Sequence, residues 1–307
     1  LGTVLANTLA RAGVGFLRIV DRDFIELNNL QRQVLFDEQD VAQQLPKAIA
    51  AANKLRTINS QIEIQPKVAD VDHTNVMELT EDVDLLLDGT DNFETRFLLN
   101  DVALHRKLPW VYGGCIGAEG QTMTILPHDT PCLRCLMQDI PPPGTTPTCD
   151  TAGIFGSIIN VIASLEAIEA IKILSGNPQA VNRRLTVIDL WDNQLRQINI
   201  DALRERGDCP ACCRGELPWL EGTQGSHTAV LCGRNAVQLT HPTEQAPSLE
   251  ALEKKLAGVG QVTRNAFLLR LTVDAYVLTI FADGRAIIGG TDDIPTAKTI
   301  YARYIGN

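Results

Sequence analysis

Apolar positions along the first two thirds of the chain alternate between two periods. Val4, Leu5, Thr8, Leu9 and Ala12 line one face of a helix, and Gly13 is the residue type that closes a helix in the left-handed conformation. Phe16-Leu-Arg-Ile-Val20 is then a short, mainly apolar run ending in Asp21, as a buried strand would. The same reading predicts a helix over 46–58 and strands over 61–65 and 83–87, the latter ending at Asp88-Gly89-Thr90-Asp91-Asn92. It continues with a helix over 93–107, a strand over 110–113, a long apolar helix over 153–174 and a strand pair over 185–190 and 195–200. Helices alternating with short apolar strands predict an α/β fold, a parallel sheet with helices on both faces. Such sheets take ligands at the carboxyl ends of their strands.

The last quarter reads differently. Strands are expected over 236–239, 261–263, 267–273, 276–281 and 285–288, and helices over 249–256 and 296–304. Phe267 to Phe281 has the form of a hairpin, and Asp283-Gly284 of a turn. This is a small α+β unit with no cluster of His, Cys and carboxylates, so docking suits it better than chemistry. Charge changes at the same place. Residues 222–307 carry 8 basic and 7 acidic side chains, against 19 and 30 before them. Pro218 and Gly222-Thr-Gln-Gly225 resemble a linker, which sets the expected domains at 1–221 and 222–307.

Composition narrows the function classes. At 45% hydrophobic and 21% charged, the 307 residues are neither disordered nor collagen-like. The most apolar stretch contains Glu166, Glu169 and Lys172, which fits a buried helix better than a membrane span. A net charge of −10 argues against a general nucleic-acid surface, which needs clustered Lys and Arg. Without a basic or apolar leader, the expected location is cytoplasmic.

Several polar residues have chemistry to offer. Gly2 stands where a glycine turn meets a helix, and Asp21 ends the next strand, the spacing at which an acid bonds a ribose hydroxyl. Arg32 and Lys47 suit a triphosphate, one as a planar fork and the other as a point charge. Asn28 and Asn29 offer donors to phosphate oxygens, and Asp91 at a strand end suits Mg2+ bridging those phosphates. Any one of these residues taken alone is better explained by a solvated loop or a helix terminus. Drawn from three separate segments, the set points to ATP.

The cysteines divide into groups. Cys132-Leu-Arg-Cys135 and Cys209-Pro-Ala-Cys212 form two CxxC pairs, the set for a closed tetrahedral Zn2+ site; disulfides or a redox pair are the alternatives. Cys213 is a bystander on this reading, and Cys115 and Cys232 are small buried residues. Cys149 follows a Pro-rich segment and precedes the long helix, where a helix N-terminus favours thiolate. It is equally well an ordinary loop cysteine.

Asp21-Arg-Asp23, Asn29-Leu-Gln-Arg-Gln33, Lys47, Gly89-Thr-Asp-Asn92, both CxxC pairs and Cys149-Asp-Thr-Ala-Gly153 together resemble the E1-like ThiF/MoeB/HesA family, in order over residues 1 to about 215. The resemblance implies a Rossmann-like α/β domain, a homodimer, and an adenylyltransferase for a ubiquitin-like sulfur-carrier protein ending in Gly-Gly. In that reaction the carrier's carboxylate attacks the α-phosphate of ATP. By position, Asp21 resembles the ribose acid, Asn28, Asn29 and Arg32 the phosphate loop, and Lys47 the phosphate lysine. Asp91 resembles the acid for Mg2+ and ATP, with Asn92 beside it. Cys149 resembles a thiol that takes the acyl group in some members.

The family's further glycines and preceding strand have no counterpart before Gly2, so the chain is expected to be N-terminally incomplete. An Arg that many members supply to the partner's site is likewise unassigned, and nothing after 221 resembles a rhodanese domain. Activators of ubiquitin-like modifiers and of peptides belong to the same family. Two other classes compete: a zinc-stabilised nucleotide-binding scaffold without catalysis, and an NAD-dependent oxidoreductase. Neither has a use for Arg32, Lys47 and Asp91 together.

Overall fold

The computed structural model describes residues 1–139, 153–224, 228–231, 235–240, 248–282 and 284–305. Contacts divide the chain into two compact units, Leu1–Gly225 and Ser226–Asn307.

The first unit opens with α1 (Gly2–Ala12), which buries Val4, Leu5, Leu9 and Ala10 and ends at Gly13 with φ 82°. Strand β1 (Phe16–Val20), helices α2 (Glu38–Ala42) and α3 (Lys47–Ile58) and strand β2 (Glu63–Lys67) follow. β1 and β2 pair in parallel, Phe16 opposite Glu63 and Val20 opposite Lys67. The expected strand ended before Pro66; β2 runs through it, because a strand with only one neighbour tolerates a residue without an N–H.

Next come α4 (Val76–Leu79), β3 (Leu86–Leu87), α5 (Phe93–Arg106), β4 (Trp110–Ile116), β5 (Glu119–Ile125) and α6 (Leu133–Leu136). After them lie α7 (Gly156–Leu174), β6 (Leu185–Asp189), β7 (Gln194–Ile198) and α8 (Asp201–Glu205). Strands β3 to β7 form one sheet in sequence order.

Among the described strands of this unit, the Rossmann-like parallel pairs are β1–β2 and β3–β4; from β4 to β7 every pair is antiparallel. Apolar runs do not distinguish the two when both faces are covered. β5 escaped the sequence reading because Glu119, Gln121, Thr122 and Thr124 dilute its apolar pattern. It is the return arm of a tight hairpin, in which Ile116 faces Glu119 and Gly117 has φ 56°.

Helices do cover both faces of this sheet. On one, Trp110 and Tyr112 of β4 join Phe97 and Leu98 of α5 and Leu133 of α6 in the largest core cluster. On the other, α7 packs its Ile162 where Gly120 of β5 has no side chain, and its Glu166 where Gly113 of β4 has none. A Cβ on Gly113 would lie 2.0 Å from a Glu166 oxygen. Glu166 is fully buried, and among the described residues neither carboxyl oxygen has a hydrogen-bond partner. Burial first, then the charge of Asp88, pushes its carboxyl well above the usual carboxylate range.

The long helix begins at Gly156 rather than at Gly153, which sits at φ 73° outside helical space. Among the described residues, no helix is long and apolar enough to cross a membrane.

The second unit contains β8 (Thr228–Leu231), β9 (Ala236–Thr240), α9 (Leu249–Leu256), β10 (Gln261–Arg264), β11 (Leu268–Val273), β12 (Tyr276–Phe281), β13 (Arg285–Gly289) and α10 (Ile294–Tyr304). Its six strands are antiparallel in the order β10-β11-β12-β13-β9-β8. Leu252 and Leu256 of α9 and Ile300 and Tyr301 of α10 form one cluster with Leu269, Leu271, Leu278, Ile280 and Ile288 of the sheet. Ser248 and Asp293 cap the two helices through their side chains.

Candidate functional site

Two helix starts and one strand-end loop frame the site. Gly2, the first residue of α1, lies against Gly89 in the loop after β3: a Cβ on Gly89 would stand 3.2 Å from the Gly2 Cα. Neither α1 nor α7 has a side-chain cap or an acid in its first turn. Unsatisfied N–H groups at such ends favour anions.

Asp21 continues from β1, its N–H donating to the Lys67 carbonyl and its Oδ1 accepting from the Asp23 N–H at 2.8 Å. Burial pushes the Asp21 carboxyl up, Lys47 pulls it back, and Asp23 and Asp91 push it up again. Asp21, Lys47 and Asp91, from three separate segments, therefore share one electrostatic environment. Lys47 is the first residue of α3, nearly buried, with its Nζ 3.3 Å from Asp23 Oδ2. Arg22, between the two acids, pairs with Asp70 at 2.8 Å. Asp23 carried no role of its own in the Asp21-Arg-Asp23 run, and Asp70 had no signal in the sequence.

The Asn28–Arg32 segment packs against the start of α7. Gln31 donates to the Ile154 carbonyl at 3.3 Å, and a Cβ on Gly156 would lie 2.7 Å from the Gln31 carbonyl oxygen. Arg32 donates back to the Asn28 carbonyl at 2.9 Å, which orients its guanidinium. Asn29 is buried and shapes the loop: its Oδ1 accepts from the Glu26 N–H and its Nδ2 donates to Asn28 Oδ1. Cys149 lies outside the described residues. Downstream of it, the Gly153 carbonyl accepts from the Gly117 N–H at 3.0 Å.

The 88–92 loop is pinned from behind. Asp88 is fully buried; its Oδ1 accepts from the Thr90 N–H at 2.8 Å and the Thr90 hydroxyl at 2.7 Å. Its Oδ2 pairs with Arg96 Nε at 3.0 Å. Arg96 Nη2 donates to the Thr90 carbonyl at 2.7 Å and the Gly113 carbonyl at 3.2 Å. Asn92 caps α5, its Oδ1 accepting from the Thr95 N–H at 2.8 Å, so that oxygen is committed to the helix. Asp91, between these anchors, is exposed.

The four CxxC cysteines converge. Their sulfurs all lie within 4.8 Å of one another, with separations of 3.8 Å for Cys132–Cys135, 3.7 Å for Cys132–Cys209 and 3.4 Å for Cys135–Cys212. Sulfurs about 2.3 Å from a tetrahedral zinc stand roughly 3.8 Å apart, so the set fits that ion. Cys213 Sγ is 3.8 Å from Cys212 on the exposed side, outside the set.

The chain beyond this cluster is tied down by α5 and α6. Arg134 donates to the Glu216 carbonyl, and buried Asp101 Oδ2 accepts from the Trp219 N–H at 3.0 Å and the Leu220 N–H at 3.4 Å. Burial raises the Asp101 carboxyl to about 6 in spite of those bonds. A folded-state value above the unfolded one means the native chain holds the proton more tightly. Asp101 therefore makes stability fall as pH rises from about 4 to about 6 and costs a constant amount above that. Urea midpoints of wild type and Asp101→Asn, compared across that window, should shift in favour of the variant as pH rises. Parallel pH profiles would show that Asp101 does not titrate there.

Residues 1–211 match the model of the ThiF family. Over all 307 residues the chain is 41% identical to the sulfur carrier protein ThiS adenylyltransferase of Bacillus subtilis (strain 168), covering 90% of that protein. Over 221 residues, 72% of the chain, it is 39% identical to the SAMP-activating enzyme E1 of Haloferax volcanii, covering 80% of it. In fold it is similar to E. coli MccB crystallised with ATP, at a TM-score of 0.56 and 22% identity over 69% of this chain and 62% of that one. With the family match covering residues 1–211, more than two thirds of the chain, the chain belongs to the ThiF family.

Proposed function

We propose that this chain uses ATP to adenylate the C-terminal glycine carboxylate of a ubiquitin-like sulfur-carrier protein ending in Gly-Gly, releasing pyrophosphate. The observation that carries this reading is the full-length likeness to a ThiS adenylyltransferase, at 41% identity. The electrostatic influence of Lys47 and Asp91 on Asp21, and the close approach of the 88–92 loop to the start of α1 at Gly2, support it. Asp21 binds the ribose, and Asn28, Arg32 and Lys47 hold the phosphates. Asn29 and Asn92 act one step back, through the loop and helix they shape. Asp91 holds Mg2+, which when bound neutralises phosphate charge.

The carrier's carboxylate is ionised at neutral pH, so no general base is needed. Its oxygen attacks the α-phosphorus, the bond to the β-phosphate oxygen breaks, and pyrophosphate departs. Arg32 and Lys47 stabilise the charge that accumulates on the phosphate oxygens, in a site where positioning matters more than covalent help from the protein. Asp23 orients Lys47 until the nucleotide arrives. Cys149 takes the acyl group afterwards as a thioester, with AMP leaving, Cys132, Cys135, Cys209 and Cys212 hold Zn2+, and the enzyme works as a cytoplasmic homodimer. Residues 1–221 form the adenylation domain and 222–307 a carrier- or partner-docking unit.

The test is exchange of labelled pyrophosphate into ATP, with and without a carrier protein ending in Gly-Gly. Exchange that depends on the carrier and on its terminal glycine is expected. Its absence, in protein that binds ATP, would leave a nucleotide-binding scaffold.

A further inference from the structure

Arg96 is buried on α5 in the first unit, between the Phe93 and Tyr112 rings at 5.8 and 5.5 Å. Its fork joins three pieces of chain: Asp88 at the end of β3, the carbonyl of Thr90, and the carbonyl of Gly113 in β4. Thr90 is thereby held at its N–H, its hydroxyl and its carbonyl, all by Asp88 and Arg96. Asn92 fixes the other side of Asp91. A buried ion pair is a poor way to gain stability, since apolar residues of the same volume do as well or better, but it is a good way to fix one geometry.

We infer that Arg96, acting with Asp88, is a positioning residue for the metal–nucleotide complex: it sets the 89–92 turn so that Asp91 is presented in one orientation before ATP arrives. This rests on the nucleotide reading above. Lysine in its place would keep the charge but lose the planar fork, and one ammonium cannot reproduce the Asp88, Thr90 and Gly113 bonds at their separate directions.

The experiment uses the full chain. Hydrogen–deuterium exchange is measured over residues 88–95 in nucleotide-free wild type and Arg96→Lys, and affinity is measured for ATP with Mg2+ and for ATP in EDTA. Local opening should make the Thr90 and Asp91 amides exchange about tenfold faster in the variant. Misplacement of a positioned group should weaken Mg2+–ATP binding by about tenfold or more. Binding in EDTA should stay within about twofold, because Asp91 acts through the metal. Asp88→Asn, which keeps an acceptor for Thr90 but removes the charge facing Arg96, repeats the test if Arg96→Lys does not fold.

Unchanged loop exchange in a folded variant would overturn the inference. So would equal weakening with and without Mg2+, or a wild type whose ATP binding ignores Mg2+. The functional reading fails separately, by a lack of carrier-dependent pyrophosphate exchange in a wild type that still shows the metal-dependent difference.

Discussion

Asp91→Ala is expected to lower carrier-dependent pyrophosphate exchange by about a hundred- to a thousandfold, some 3–4 kcal/mol of transition-state stabilisation. The physical reason is that the triphosphate concentrates negative charge, and the residue proposed to hold its counter-cation is the one exposed acid of a pinned loop. Thr90 and Asn92 hold that loop, and Asp91 does not. The variant should therefore melt within about 2 °C of wild type, since an exposed substitution that spares caps and core seldom costs more than about 0.5 kcal/mol. Near-normal exchange in this variant would remove Asp91 from the site. A collapse of the melting temperature would instead show that the residue works for the fold.

The opposite profile is expected at the four cysteines. Purified protein should contain about one zinc per chain, and Cys209→Ser should lose it together with roughly 10 °C of thermal midpoint. Cys132 and Cys135 lie at α6, and Cys209 and Cys212 lie 77 residues further on, so the ion closes a long loop and clips the end of the unit onto the α5–α6 core. A set filled by four thiolates has no open position for substrate. Chemistry per folded molecule should therefore change little. Less than about half an equivalent of metal in carefully purified protein would count against a closed structural site.

Much of this architecture could be read from the residues. Gly13 ends α1 where a residue with no Cβ is needed for φ 82°, and Asn92 opens α5 because its side chain accepts from the Thr95 N–H. The two CxxC pairs announced a shared site because thiolate spacing of that kind has few other uses. What stayed hidden depended on partners distant in sequence. β5 takes its stability from β4 and β6, so its own pattern of Glu119, Gln121 and Thr124 is weak. Nothing local to Asp88 or Arg96 announces that both are buried and paired. Asn29 and Asn92 read as nucleotide-binding residues; each also turns its Oδ1 to a backbone N–H, a use that their residue type equally permits.

Gly113 and Glu166 bind two distant positions into one unit of inheritance. The carboxyl of Glu166 occupies the space that any side chain at 113 would need. A mutation that adds even a methyl group to 113 must wait for a shorter residue at 166, and a shorter residue arriving first leaves a void under β4. Either order passes through a less stable ancestor, so the pair should change together across descendants or not at all.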